Sequence, residues 1–302
     1  MTGFLLILFC AIFFPGIIVR VKSMASGRKG PGVFQPMKDI FRLLRKGNVY
    51  SATTSIIFRL APPVYLASII MAMLFLPVGG QSGVLSFKGD FVFFAYALGL
   101  GKFFMIIGAM DTGSSFEGMG ASREALYSML IEPAFFVLMA SFAMLTGYSS
   151  FYEIYNSLYF DSYLAVFTGL LAVYVLIQII MIENSRMPYD DPKTHLELTM
   201  VHEVMVLDFS GFDLGMIQFA SALKFAVFGC LMANFFLTPE TPLHYLLLIF
   251  IAVQFCFAVL VGLLESFRAR YKLRNNNQAI LTLTPIAILV FFSVLLIITK
   301  HF

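Results

Sequence analysis

Apolar residues run along this chain in long unbroken blocks rather than in stripes. The blocks lie at 3–21, 57–78, 91–110, 124–146, 162–183, 215–237, 243–265 and 279–299. Each is about the twenty residues that an α-helix needs to cross roughly 30 Å of hydrocarbon. A membrane β-barrel would instead alternate apolar and polar residues along each strand. The pattern therefore predicts an all-α, polytopic membrane protein of about eight transmembrane helices, a single membrane domain over 1–302. Cytoplasmic loops fall at 22–56, 111–123, 184–214 and 266–278. The first block lacks a basic leader and an A-x-A site, and a basic segment follows it, so it reads as a span and not a signal peptide. Cys10 has no small-residue lipobox before it.

Two loop segments change the period. In "GRKGPGVFQPMKDIFRLLRKGN" (27–48) the glycines and Pro31 make a turn. An amphipathic helix follows, with Phe34, Met37, Ile40, Phe41 and Leu44 on one face and Lys38, Arg42 and Arg45 on another. Such a helix lies in the membrane interface, as a lipid anchor or as the rim on which a soluble partner docks. In "ENSRMPYDDPKTHLELTMVHEVMVLDFSG" (183–211) Pro188 and Pro192 stop any continuation of the fifth span. The pattern over 194–207 predicts a second amphipathic helix with His195 and His202 near one face.

Composition sharpens this. Hydrophobic residues make up 60% of the chain and charged ones 12%, with a mean hydropathy of +0.88, against about a quarter charged in a soluble domain. No soluble domain is long enough for a flavin or iron–sulfur site. The three cysteines, Cys10, Cys230 and Cys256, are scattered inside apolar blocks as small core residues, with no CxxC pair. Lys22, Arg28, Lys29, Lys38, Arg42, Arg45 and Lys46 follow the first span, and Arg268, Arg270, Lys272 and Arg274 the seventh. Arg123, Arg186 and Lys193 lie on the same side, and Lys88 and Lys300 opposite. The positive-inside rule then puts both termini outside the cytoplasm. Without Trp, the interfacial belt falls to Tyr148, Tyr152, Tyr155, Tyr159 and Tyr163. Internal repeats, a Walker loop and GxGxxG are all missing.

Ionisable groups inside the spans are costly and mark ion or proton routes. They are Lys102, Glu124, Glu132, Glu183, Lys224 and Glu265. Glu124, Ser128 and Glu132 recur at i, i+4 and i+8, which predicts one broad face with the acids roughly 12 Å apart. Pro133 frees a carbonyl beside Glu132, which reads as part of a buried polar pathway. Other roles compete: Glu183 and Glu265 close their spans and can snorkel to water, while Lys102 and Lys224 can be structural ties to acids. In the 183–211 segment, His202-Glu203 has Val206 where HExxH needs its second His, so metal binding is disfavoured. An acidic entrance between cytoplasm and membrane fits better than a solvated helix.

These segments, with "MDTGSSFEGMGASREA" (110–125), resemble the eight-span membrane subunit shared by respiratory complex I (its subunit 1) and the group-4 membrane-bound nickel–iron hydrogenases, including formate hydrogenlyase (subunit 4) and the hydrogenase-4 component C type. "RKGPGVFQPMKDIFRLL" is similar to the family's basic "RxGPG…Q…D…KLL" segment, and "PYDD" and "LDFSG" to its "PFD" and its acidic–aromatic–Ser–Gly ending. Lys193, Thr194 and His195 interrupt the dense acidic run of complex I, which, with the "DTGS…GASRE" loop, favours the hydrogenase type. The resemblance implies the heel of an L-shaped oxidoreductase complex in the inner membrane of a prokaryote, non-catalytic alone. NiFe and iron–sulfur centres would sit in soluble partner subunits, and antiporter-like membrane subunits would join at the side. It implies a proton pathway through Glu132, Glu183, Asp190, Glu197 and Asp208, to which the spans and loop add Glu124, Glu203, Lys102 and Lys224. It implies docking of the soluble arm on Arg28, Lys38, Arg42 and Arg45. The alternatives are the quinone-site subunit of a complex-I-like NADH or ferredoxin dehydrogenase and a stand-alone proton-coupled transporter.

Overall fold

A computed structural model describes residues 2–78, 80–159, 162–190, 200–237 and 243–301. The apolar blocks form α1 (Thr2–Ala25), α3 (Ile56–Phe75), α4 (Asp90–Asp111), α5 (Ser115–Thr146), α7 (Tyr163–Glu183), α9 (Gly211–Asn234) and α10 (Leu243–Phe267). The last block is α11 (Leu273–Leu281) and α12 (Leu283–His301), broken at Thr282. Short helices α2 (Gln35–Leu44), α6 (Phe151–Asn156) and α8 (His202–Met205) lie between them. Eight helices are long and apolar enough to cross a membrane, and the described residues form no strand.

The expected loop at 111–123 is a correction: α5 begins at Ser115, so Glu117 and Glu124 lie inside a 32-residue helix. Apolar content marks only the embedded part of a helix that continues into the interface. The amphipathic helix expected over 194–207 is also corrected where it is described, because Met200 and Val201 are outside any helix and α8 is one turn long. His195 and Glu197 lie outside the described residues. Among the tyrosines, Tyr148, Tyr159 and Tyr163 are exposed, but Tyr155 is buried against Phe151 and Phe235 and forms no part of an interfacial belt.

Helix α9 is the axis of the fold. It packs against α1, α2, α3, α7 and α10, and most of its side chains are buried. Lipid offers no hydrophobic drive for helix association, so close packing of small residues carries it. Gly101 and Gly108 of α4 face Ser68 and Ala61 of α3, and side chains there would collide. Gly16 of α1 leaves room for the Val33 carbonyl, which lets the 27–34 turn fold back on the bundle. Helix α2 follows and seats Leu44 on Gly215 of α9. Met37 and Ile40 are buried as expected, but Phe34 and Phe41 are exposed beside Lys38, Arg42 and Arg45. The buried stripe is narrower than the pattern suggested, although both α9 and α1 pack against α2.

The 200–211 segment is pinned from several sides. Arg123 donates to the Met200 carbonyl at 2.9 Å, and the Phe209 ring stacks on Phe58 at 4.0 Å. Ser210 Oγ accepts from Val49 N at 3.0 Å. Gly211, at φ 51°, lies so close to the Gly47 carbonyl that any side chain would clash. These ties hold the segment against α3, α5 and the 47–49 loop.

Candidate functional site

Where α4, α5, α7 and α9 converge, four ionisable side chains meet. Lys102 Nζ donates to Glu183 Oε1 at 2.8 Å and to Ser128 Oγ at 2.9 Å, and lies 3.5 Å from Glu124 Oε1. Lys224 Nζ is 2.9 Å from Glu183 Oε2 and donates to the Glu183 carbonyl at 2.6 Å. The Glu183 carboxylate is thus held between two ammonium groups, one from α4 and one from α9. All four side chains are 11% exposed or less. Two cations and two anions balance, which is what permits charges at this depth. Glu183 does not snorkel.

The cluster forms the inner end of a cavity of about 440 Å³. Pro15 and Val19 of α1, Ile40 of α2, and Ile217 of α9 line its apolar side, with Gln218, His202 and Glu203 also in its wall. Its polar rim is braced by Glu265, which is 3.3 Å from Arg186 and 3.6 Å from Lys22. Glu265 is buried and paired, not snorkelling. Ser185 at φ 50° ends α7 and turns the chain so that Arg186 N bonds the Met181 carbonyl at 2.8 Å.

Burial shifts two wall residues, Glu203 and His202, in opposite directions. Burial, and then the nearby Asp190 carboxylate, raise the Glu203 pKa to about 7. Burial lowers that of His202, aided by Lys224 and Lys102 and opposed by Glu124. Because the folded pKa of Glu203 lies above its ordinary value of 4.5, protonation favours the folded state, and that contribution is lost as pH rises from 4.5 through about 7. An infrared titration is expected to show a protonated-carboxyl band with a midpoint near 7 that vanishes in Glu203→Gln. Asp190→Asn, which removes the repelling charge, is expected to lower the midpoint. A band that survives Glu203→Gln would assign the titration to another group.

The other expected site residues are placed apart. Asp190 is buried, accepting from Arg270 Nη2 at 2.9 Å and from His202 N at 3.0 Å, so it holds α8 against the loop after α10. Asp208 is exposed, and its backbone N donates to the buried Glu117 carboxylate at 2.9 Å. Glu197 lies outside the described residues. Glu132 is a correction: it is exposed on the outer face of α5, not buried. Eight residues at 100° each leave it about 80° from Glu124, enough to carry it out of the core. A shallow groove lined by Glu132, Lys102 and Glu183 runs between the two.

Sequence reading missed Glu117 and Arg270 as partners, and the Arg186–Glu265–Lys22 group. Only Ser128, at i+4 from Glu124, carried a spacing signal. Arg28, Lys38, Arg42 and Arg45 are exposed, with Arg42 3.3 Å from Asp39. Among the described residues no three His, Cys, Asp or Glu side chains gather as a metal site.

A family model described as NADH dehydrogenase matches residues 1–297. Hydrogenase-4 component C of Escherichia coli (strain K12) is 29% identical over 224 residues, covering 74% of this chain and 70% of that protein. Formate hydrogenlyase subunit 4 of the same strain is 29% identical over 209 residues, covering 69% of this chain and 67% of that one. A chain of the archaeal membrane-bound sulfane sulfur reductase, a respiratory membrane complex, shares the fold at a TM-score of 0.81 and 21% identity, covering 96% of both chains.

Proposed function

The chain belongs to the NADH dehydrogenase family, and from that premise we propose that it is the membrane-anchor and ion-coupling subunit of a group-4 hydrogenase-like complex. The observation that carries this reading is the buried Lys102–Glu183–Lys224 clamp with Glu124, set at the end of a cavity whose wall holds Glu203. Such a cluster stores charge without a net excess. A proton arriving at Glu203 or His202 changes the field on Glu124 and Glu183, and a lysine released from one carboxylate has a second within reach. Soluble subunits carrying the NiFe and iron–sulfur centres dock on the cytoplasmic face, and electron transfer there drives the rearrangement. The basic loops face the cytoplasm of a prokaryotic cell, the chain sits in its inner membrane, and both termini lie outside the cytoplasm.

Purifying the tagged chain from native membranes tests this. A co-purifying large subunit with two CxxC nickel-ligand pairs, and hydrogen turnover in the preparation, is the expected result. A large subunit lacking those cysteines would instead support the quinone-site reading. That second reading is favoured by the cavity, which at about 440 Å³ is of ligand size and joins an apolar wall to a polar end. Uptake of a solute by the chain alone in liposomes would support the transporter reading.

Docking has its own test. Arg42 and Arg45 are exposed on α2. Reversing both to Glu is expected to lower retention of the soluble arm by about tenfold at low salt, with the wild-type–variant difference shrinking as salt is raised. Unaltered retention would leave α2 as a lipid anchor.

A further inference from the structure

The corner between α10 and α11 carries three cations that the fold leaves without an acid. Residues 266–302 hold no Asp or Glu, and Arg268, Arg270, Lys272 and Arg274 follow one another at every second position. The corner is pinned from the inside. Arg270 Nη2 donates to Asp190 Oδ1 at 2.9 Å, Tyr271 N to the Pro188 carbonyl at 3.0 Å, and Asn276 Nδ2 to the Tyr189 carbonyl at 2.8 Å. Arg270 thus turns inward, while Arg268 and Lys272 on either side of it are exposed, as is Arg274. Among the described residues none of these three forms an ion pair, whereas Lys22 and Arg186 share Glu265 and Arg42 has Asp39.

The setting is the edge of the hydrocarbon. Helix α10 has 25 residues, about 37 Å at 1.5 Å each, so its end reaches headgroup level. There Phe267 is 82% exposed, with Tyr271 exposed beside it. Rings next to cations at this depth are the usual furniture of a membrane interface. Below the corner, α10 packs against α1 and α9, and α12 against α5 and α7. Their remaining faces are apolar and open, with Leu263 of α10 and Ile288 of α12 exposed. An acidic protein surface would answer the cations and leave Phe267 and Leu263 in water. A molecule with an anionic head and apolar tails answers both.

We propose that this corner is a binding site for an anionic phospholipid, whose headgroup phosphate is held by Arg268, Lys272 and Arg274 and whose acyl chains lie along the open faces of α10 and α12. The two guanidinium groups bind phosphate oxygens in pairs, and Lys272 adds a point charge. Because Arg270, Tyr271 and Asn276 already fix the backbone, little of it has to be ordered on binding. The inference goes beyond the coupling function and rests only on the chain spanning a membrane.

Photolabelling of the purified complex tests it, with a phosphatidylglycerol that carries a photoreactive acyl chain. The expected adducts map to α10 and α12, and excess phosphatidylglycerol suppresses them while phosphatidylcholine does not. Equal suppression by the two lipids would show bulk lipid contact and overturn the proposal. This competition needs no variant, so it decides the matter even where a variant fails to assemble. Arg268→Gln/Lys272→Gln/Arg274→Gln is expected to lower the adduct yield at least about tenfold, and Arg268→Lys/Arg274→Lys, which keeps the charge, by much less. Lys29→Gln/Lys46→Gln/Lys88→Gln removes the same net charge elsewhere and is expected to hold the yield within about twofold. A triple Gln variant that keeps the lipid adduct but loses the soluble subunits would assign the corner to a protein partner instead, and overturn the proposal.

Discussion

Glu183→Gln is expected to be the most damaging single substitution in the membrane core, lowering stability by about 3–5 kcal/mol. Lys102 would keep Glu124 at 3.5 Å, but Lys224 would lose its only carboxylate partner among the described residues and retain the Glu183 carbonyl. An ammonium group buried to 3% exposure without a counter-charge is the costly species. The double variant Glu183→Gln/Lys224→Gln is therefore expected to regain roughly half the loss, on the order of 2 kcal/mol, by removing the stranded charge. Glu183→Gln/Lys102→Gln leaves Lys224 stranded and adds an unpaired Glu124, so it should recover nothing. Thiol labelling of Cys230 during heating in detergent, in a Cys10→Ser/Cys256→Ser background, reports the unfolding because Cys230 is fully buried in α9. Equal rescue by the two lysine changes would mean that the clamp is not asymmetric as described.

The eight spans were legible because a helix in lipid must satisfy its own backbone and therefore advertises itself as a continuous apolar run. Lys102, Glu124, Glu183 and Lys224 were legible for the same reason, since each interrupts such a run. Their assembly into one cluster was not, because they come from four helices and sequence gives no register between helices. Glu132 shows the limit of spacing arguments. The sequence placed it inside a span, but 80° of helix rotation decides between core and outer face, and only the packing of α4 and α12 against α5 sets that angle. Asp190 was singled out for its charge, yet that charge is spent on Arg270 and the His202 amide. Arg270 gave no signal beyond membership of a basic loop. The family resemblance drawn from "GPG", "GASRE" and "LDFSG" agrees with the NADH dehydrogenase match over 1–297, and the 29% identity to two hydrogenase proteins agrees with the hydrogenase side of it.

The second large effect separates coupling from folding. Glu124 makes the longer contact to Lys102, at 3.5 Å against 2.8 Å for Glu183. Glu124→Gln leaves Lys102 paired and Lys224 untouched, so the fold is expected to survive with a loss of about 1–2 kcal/mol or less. The position nonetheless loses a carboxylate of the cluster that lines the cavity with His202 and Glu203 and acts on His202. On the proposed function, electron transfer in the soluble arm does not pass through it and should continue. Ion movement tied to that transfer should fall at least about tenfold, in keeping with the loss of a group that carries charge in only one of its states. The decisive measurement is made on the intact complex reconstituted into sealed vesicles, recording hydrogen turnover and the internal ion change together. The account predicts that Glu124→Gln keeps turnover while the ions moved per turnover collapse; an unchanged ratio of ions to turnover would contradict it.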